Sequence, residues 1–135
     1  MADPYCLLFV HYIWSTWQRM PLVTPNIEKR VYESIVVKCR ELKSEPIAVG
    51  GTMDHVHLLV QIAPVISVAR LAQEAKGASS HLVTHQLAPS TFFKWQGGYG
   101  ALTVDEASLP RLSTYIKNQK THHEQGRLIS QWEAS

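Results

Sequence analysis

Gly50-Gly51-Thr52-Met53-Asp54-His55-Val56-His57-Leu58-Leu59-Val60 is the stretch that decides how this chain folds. Two glycines and an aspartate mark a turn, and the aliphatic, β-branched run after it marks a strand. With the apolar residues just before the turn, this predicts a hairpin of residues 47–49 and 55–62. Strand side chains alternate between faces, so His55 and His57 point the same way and Val56 the other. Two polar rings on one face of a strongly apolar strand call for a reason, and one reason is a shared metal ion. Neutral imidazole suits Zn, Mn, Fe, Ni or Cu, whereas Mg prefers oxygen, so the pair alone does not choose the metal.

Outward from the hairpin, the rest of the chain reads as alternating strands and helices. Residues 5–14 are dense in aromatic and aliphatic side chains and predict a buried first strand. A loop punctuated by Pro21 and Pro25 follows. Ile27, Val31, Ile35, Cys39 and Leu42 then recur at helical spacing, predicting a helix that stops before Pro46. After Pro64, Ser67 can cap a second helix with Val68, Leu71, Ala72, Ala75 and Leu82 as its buried stripe, closed by Pro89. Residues 92–104 read as extended and are interrupted by Gly97, Gly98 and Gly100. Ser108 and Pro110 open a third helix running to about His123. The order β-α-β-β-α-β with an appended helix predicts an α+β fold, a ferredoxin-like (RRM-like) antiparallel sheet with helices on one face.

Composition narrows the class. The chain has 135 residues, 45% hydrophobic and 18% charged, which fits a single domain over residues 1–135 and excludes wholesale disorder. Its formal charge of +2 is compatible with nucleic acid without requiring it. Two cysteines, Cys6 and Cys39, make a disulfide framework improbable and favour reduced thiols. Met1-Ala2-Asp3-Pro4 has neither a basic start nor a cleavage site, and no apolar run is long enough to span a bilayer. No signal peptide or membrane segment is expected, and a cytoplasmic location is.

The second chemical signal is Tyr115-Ile116-Lys117-Asn118-Gln119. Positions four apart stack on one helix face, so Tyr115 and Gln119, with His122 a further turn on, form a polar stripe facing outward beside the packing stripe of Leu109, Leu112 and Ile116. Gln119 is a candidate third metal ligand through its amide oxygen. Tyr115 is a candidate nucleophile, weak at its ordinary phenol pKa of roughly 10 and helped by a metal that polarises a phosphate. His81 and His85, lacking acidic or cysteine neighbours, read as solvated. Basic residues are dispersed, and Arg19, Lys76, Ser79, Lys94, Lys117 and Lys120 are the candidate DNA contacts. Trp14, Trp17, Phe93, Trp95 and Tyr99 suit either base stacking or the core, the core being the commoner fate.

Taken in order, these pieces carry a resemblance. They run from His11-Tyr12-Ile13-Trp14-Ser15-Thr16 with Arg19 and Pro21-Leu22, through Asp54-His55-Val56-His57-Leu58-Leu59-Val60 and Ile66-Ser67-Val68. They continue in Lys76-Gly77 with Ser79-Ser80, Trp95-Gln96-Gly97-Gly98-Tyr99-Gly100-Ala101, and Tyr115-Ile116-Lys117-Asn118-Gln119 with His122-His123. Nearly the whole chain resembles the single-tyrosine HUH transposases of small insertion sequences and their REP-associated relatives. The resemblance implies Tyr115 as nucleophile and His55, His57 and Gln119 as ligands of Mg2+ or Mn2+. It further implies a homodimer built by joining two sheets and single-stranded DNA with hairpin ends as substrate. A position that is commonly basic in relatives is Trp17 here, and a Phe common after the paired histidines is Leu128.

The expected function is thus metal-assisted cleavage and joining of single-stranded DNA through a 5′-phosphotyrosine. The glycines before the third helix suggest that it swings, with Tyr115 working beside the partner subunit's histidines. Two other classes remain open at this point, a non-catalytic or domesticated single-stranded nucleic-acid binder and a metal-dependent nuclease in which water attacks.

Overall fold

Pro25 at the first helical position and a stripe of Ile27, Val31, Ile35 and Cys39 make α1, Pro25–Glu41, a helix with one apolar face. Ser67 caps α2, Val68–Leu82, its side chain accepting from the Arg70 backbone N–H at 3.0 Å. The computed structural model describes residues 5–120. Four strands, β1 (Phe9–Ser15), β2 (Glu45–Gly51), β3 (His55–Gln61) and β4 (Gly100–Val104), form one sheet in the order β2-β3-β1-β4, with every neighbouring pair antiparallel. The last described helix is α3, Leu109–Lys117. This is the α+β, ferredoxin-like arrangement that the element order predicts.

The two faces of the sheet have different jobs. Val10, Tyr12, Trp14, Val56, Leu58 and Val60 face α1 and α2 and build the main core with Val31, Ile35 and Leu71. Each of these fully buried aliphatic side chains contributes roughly 1.5–3 kcal/mol through removal from water. The opposite face carries a second cluster in which Ala48 and Leu59 meet Leu112, Tyr115 and Ile116 of α3. In register, His57 lies between Ile13 of β1 and Gly50 of β2, and His55 lies opposite Ser15. Directly paired residues share a face, so both histidines look toward α3.

Gly50 sets how close α3 comes. A Cβ at this position would overlap the Ile116 carbonyl oxygen and sit 3.1 Å from its carbon. Space is what is required there, because Gly50 is not among the residues with positive φ. Gly50→Ala should therefore lift α3 off the sheet and cost roughly 1–3 kcal/mol of stability, read as a lower melting temperature by circular dichroism. An unchanged melt would mean that α3 is not held by this approach.

Some boundaries differ from the sequence reading, for local reasons. β1 starts at Phe9 rather than residue 5, and Cys6 precedes it; Cys6 and Cys39 are both free thiols. The α-helical part of α2 ends at Leu82 and continues as one π-helical turn, Val83–Leu87. Only the end of residues 92–104 is strand. Before Gly100 the chain is pinned from the side, with Lys76 Nζ donating to the Gln96 and Gly98 carbonyls at 2.8 Å each, and with Trp95 bridging to Thr16. Gly97 and Gly98 thus precede a strand paired to β1 and do not lie between the sheet and α3, which removes them as the hinge of a swinging helix. The expected continuation of the third helix to His123 falls outside the described residues.

Candidate active site

Each histidine of β3 is held from its Nδ1 side. His55, 2% exposed, has Nδ1 2.8 Å from Asp54 Oδ1 and 2.9 Å from Thr52 Oγ1. Burial alone would push the Asp54 carboxyl up, but hydrogen bonds from His55 and Thr52 and the Arg19 guanidinium outweigh it and hold the group below its usual value. Asp54 is therefore an acceptor, and His55 carries its proton on Nδ1. His57, fully buried, has Nδ1 2.8 Å from Nε2 of His11, which is also fully buried. The ring centroids of His55 and His57 are 5.1 Å apart.

From above, α3 and the residues just after it bring Tyr115 and Gln119 inward. Tyr115 is 3% exposed and presents its ring edge-on to His57, with centroids 6.2 Å apart. Gln119, 1% exposed, lies one turn further on. Its Nε2 donates to the Tyr115 carbonyl at 3.4 Å, which leaves Oε1 facing Nε2 of His55 at 3.2 Å. This corrects the expectation of an outward polar stripe, since Tyr115 shares the packing face of Leu112 and Ile116. Gly50 lets the helix backbone come close at Ile116, and the face of α3 that packs on Ala48 and Leu59 includes Tyr115. His122, the third member of the expected stripe, lies outside the described residues.

The donor set tests whether a metal fits. With the His55 proton on Nδ1, its Nε2 presents a lone pair on the side of the Gln119 amide oxygen, 3.2 Å away. An imidazole nitrogen and an amide oxygen side by side are both ligand atoms that a divalent metal ion accepts. Among the described residues no three His, Cys, Asp or Glu side chains group as a metal site, and the Gln119 amide oxygen is a further ligand atom beside the histidine pair. His55, His57 and Gln119 fit such an ion.

The candidate DNA contacts separate into distinct environments. Ser79 is fully buried; its hydroxyl donates to the Ala75 carbonyl and accepts from Trp95 Nε1 at 3.0 Å, so it is withdrawn from that set. Lys76 holds the loop carbonyls named above, and burial lowers its pKa. Arg19 pairs with Asp54 at 3.3 Å, Lys94 sits 4.0 Å over the Trp17 ring, and Lys120 pairs with Glu28 at 2.7 Å. Lys117 is exposed and, with Asn118 and Lys120, lines a cavity of about 180 Å³ beside Gly50 and Gly51. Trp14, Phe93 and Trp95 are core, whereas Tyr99 is 39% exposed. His81 and His85 stack at 4.1 Å on the other side of the sheet.

A tyrosine held against a histidine pair over a four-stranded sheet is the setting in which comparison with known proteins becomes informative. Residues 5–119 match the family described as "Transposase IS200 like". The chain belongs to this family. Among solved structures, a transposase candidate from Deinococcus radiodurans R1 aligns at a TM-score of 0.67 and 24% identity, covering 88% of this chain and 96% of that one. A REP-associated tyrosine transposase bound to a REP hairpin aligns at 0.66 and 13% identity, covering 95% of this chain and 76% of that one. At these identities the likeness is one of fold. No curated protein matches the chain. For this member of the IS200-like transposase family, sequence reasoning gave Gly50 and Asp54 only a place in the turn and gave His11 no role in the site. His11 stood in the sequence as a polar residue inside an apolar strand, but only the β1–β3 register puts it beside His57.

Proposed function

We propose that this protein cleaves and rejoins single-stranded DNA at hairpin ends, with Tyr115 as nucleophile and with Mg2+ or Mn2+ held by His55, His57 and Gln119. The observation that carries the reading is Tyr115 edge-on to His57, with Gln119 Oε1 facing His55, in a chain of the transposase family. Hairpin DNA as the ligand class is supported by the fold neighbour that is bound to a REP hairpin. When bound, the divalent ion supplies charge that polarises the scissile phosphate.

The protein's own groups account for the rest. α3 positions the phenol, and Gln119 ties the ligand set to the same helix turn through the Tyr115 carbonyl. The Tyr115 oxygen forms a bond to phosphorus while the bond from phosphorus to the 3′ oxygen breaks, and the phenolic proton ends, in balance, on that oxygen. The products are a 5′-phosphotyrosine and a free 3′-OH. Attack by a 3′-OH reverses the exchange without an external energy source. Burial of Tyr115, His55 and His57 lowers the local dielectric and strengthens the electrostatics of the step. The working unit in this reading is a homodimer made by joining sheets, with β2 and β4 the edge strands. No described helix is long and apolar enough to cross a membrane, and the reading places the enzyme in the cytoplasm.

The test incubates the protein with end-labelled single-stranded hairpins carrying 5′ and 3′ flanks, with Mg2+ or Mn2+, and resolves the products under denaturing conditions. Protein-linked DNA plus a free 3′-OH fragment is expected. Cleavage with no linkage would point to water as the nucleophile, and binding with no cleavage to a non-catalytic binder.

Tyr115 lies against His57 of its own chain, and that contact supports a cis site over the sharing across subunits expected from the sequence. Mixing Tyr115→Phe with His55→Ala/His57→Ala protein, under conditions that exchange subunits, should restore no cleavage. Restored cleavage would establish the trans arrangement.

A further inference from the structure

His11 is the buried polar group that the proposed chemistry does not use. It occupies the third position of β1, fully buried, and its ring stacks on His57 with centroids 5.0 Å apart and planes 24° apart. Burying an imidazole in a strand of Phe9, Val10, Tyr12, Ile13 and Trp14 carries a desolvation cost that a hydrophobic residue would avoid. The short contact names the use: Nε2 of His11 is 2.8 Å from Nδ1 of His57. Two ring nitrogens at this distance share one hydrogen, so one donates and the other accepts.

We propose that His11 is the positioning residue of His57, accepting its Nδ1–H and thereby committing Nε2 of His57 as the ligating nitrogen. The inference rests on the reading of His55 and His57 as metal ligands. His57 then matches His55, whose Nδ1–H is taken by Asp54. The two acceptors differ because their surroundings differ. Asp54 keeps 34% of its side chain exposed and has Arg19 beside it, so a carboxylate is sustained there. At the fully buried position beside His57 an ionised carboxylate would be far costlier, and a neutral imidazole accepts the same proton. An imidazole whose N–H is held by an acceptor has a fixed ring and tautomer and is the more basic ligand through its other nitrogen.

Nitrogen-15 spectra of histidine-labelled, metal-free protein read the tautomers directly. The wild type should show His57 protonated on Nδ1, and His11→Phe, which keeps a ring for packing, should shift His57 toward the Nε2–H form. A wild-type His57 protonated on Nε2 overturns the proposal, and this reading needs neither metal nor activity. On adding Zn2+, metal-bound shifts should appear at Nε2 of His55 and His57; one at Nε2 of His11 would make it a ligand and overturn the positioning role. Mn2+ titration followed by electron paramagnetic resonance should show binding weakened roughly 10- to 100-fold in His11→Phe. Binding should largely recover in His11→Gln, whose amide oxygen can accept the same proton. Equal Mn2+ binding by wild type and both variants would sink the proposal, whereas no binding by the wild type would sink the metal reading and leave the tautomer spectra to decide the role of His11.

Discussion

Tyr115→Phe should reduce strand cleavage by more than about 10³-fold, the scale at which removal of a nucleophile acts, and should abolish the protein–DNA adduct. The ring packs with Leu112 and Ile116 and meets His57 edge-on, and phenylalanine keeps that packing. The stability loss should therefore stay below about 1.5 kcal/mol, the net worth of a hydrogen bond, and hairpin binding should persist. Rates from denaturing gels and melts by circular dichroism separate the two effects. Cleavage near the wild-type rate in the Phe variant would take Tyr115 out of the mechanism.

The next largest effect is expected at the histidine pair. His55→Ala and His57→Ala should each lose divalent-ion-dependent cleavage by more than about 100-fold, because either change leaves at most two protein ligands, and EDTA should reproduce both. The two variants should differ in stability. His57→Ala removes the ring nitrogen that lies 2.8 Å from the buried Nε2 of His11 and should cost roughly 1–3 kcal/mol. Truncation at His55 leaves Asp54 and Thr52 still paired with each other at 3.0 Å and Asp54 still beside Arg19, and should cost less. Assays run well below each variant's melting temperature keep the effects apart. Full cleavage in EDTA would contradict the metal assignment.

What was legible in the sequence was whatever depends on local periodicity. The strand parity of His55 and His57, the stripe of α1, and the element order all follow from spacings of two and of three to four, and the structure has them as read. Of the stripe read for α2, Leu71, Ala72 and Ala75 are buried, whereas Val68, in its first turn, is 38% exposed and Leu82, at its end, is only half-buried. What escaped depends on contacts between distant segments. The close seating of α3 depends on Gly50 meeting Ile116, 66 positions later in the chain, and no helical pattern reports that approach. On helical spacing alone, Tyr115 and Gln119 look like a polar rim. The loop before β4 carries residues of strand character, yet it meets the end of β1 only at a bridge around Thr16 and Trp95, while Lys76 and Trp95 tie it to α2. Ser79 looked like a hydroxyl for a phosphate because nothing in its neighbourhood announces the indole that binds it. His11 shows the same limit, since its meaning lies in the register of β1 on β3.

The claim on which this account most depends is that a tyrosine of this helix becomes covalently joined to DNA. Wild-type protein incubated with a cleavable single-stranded hairpin and Mn2+, then digested and mapped by mass spectrometry, measures it directly. The account predicts a nucleotide adduct on the peptide that contains Tyr115, absent from Tyr115→Phe and absent in EDTA. Cleaved DNA accompanied by no adduct, or by an adduct on another residue, would contradict it.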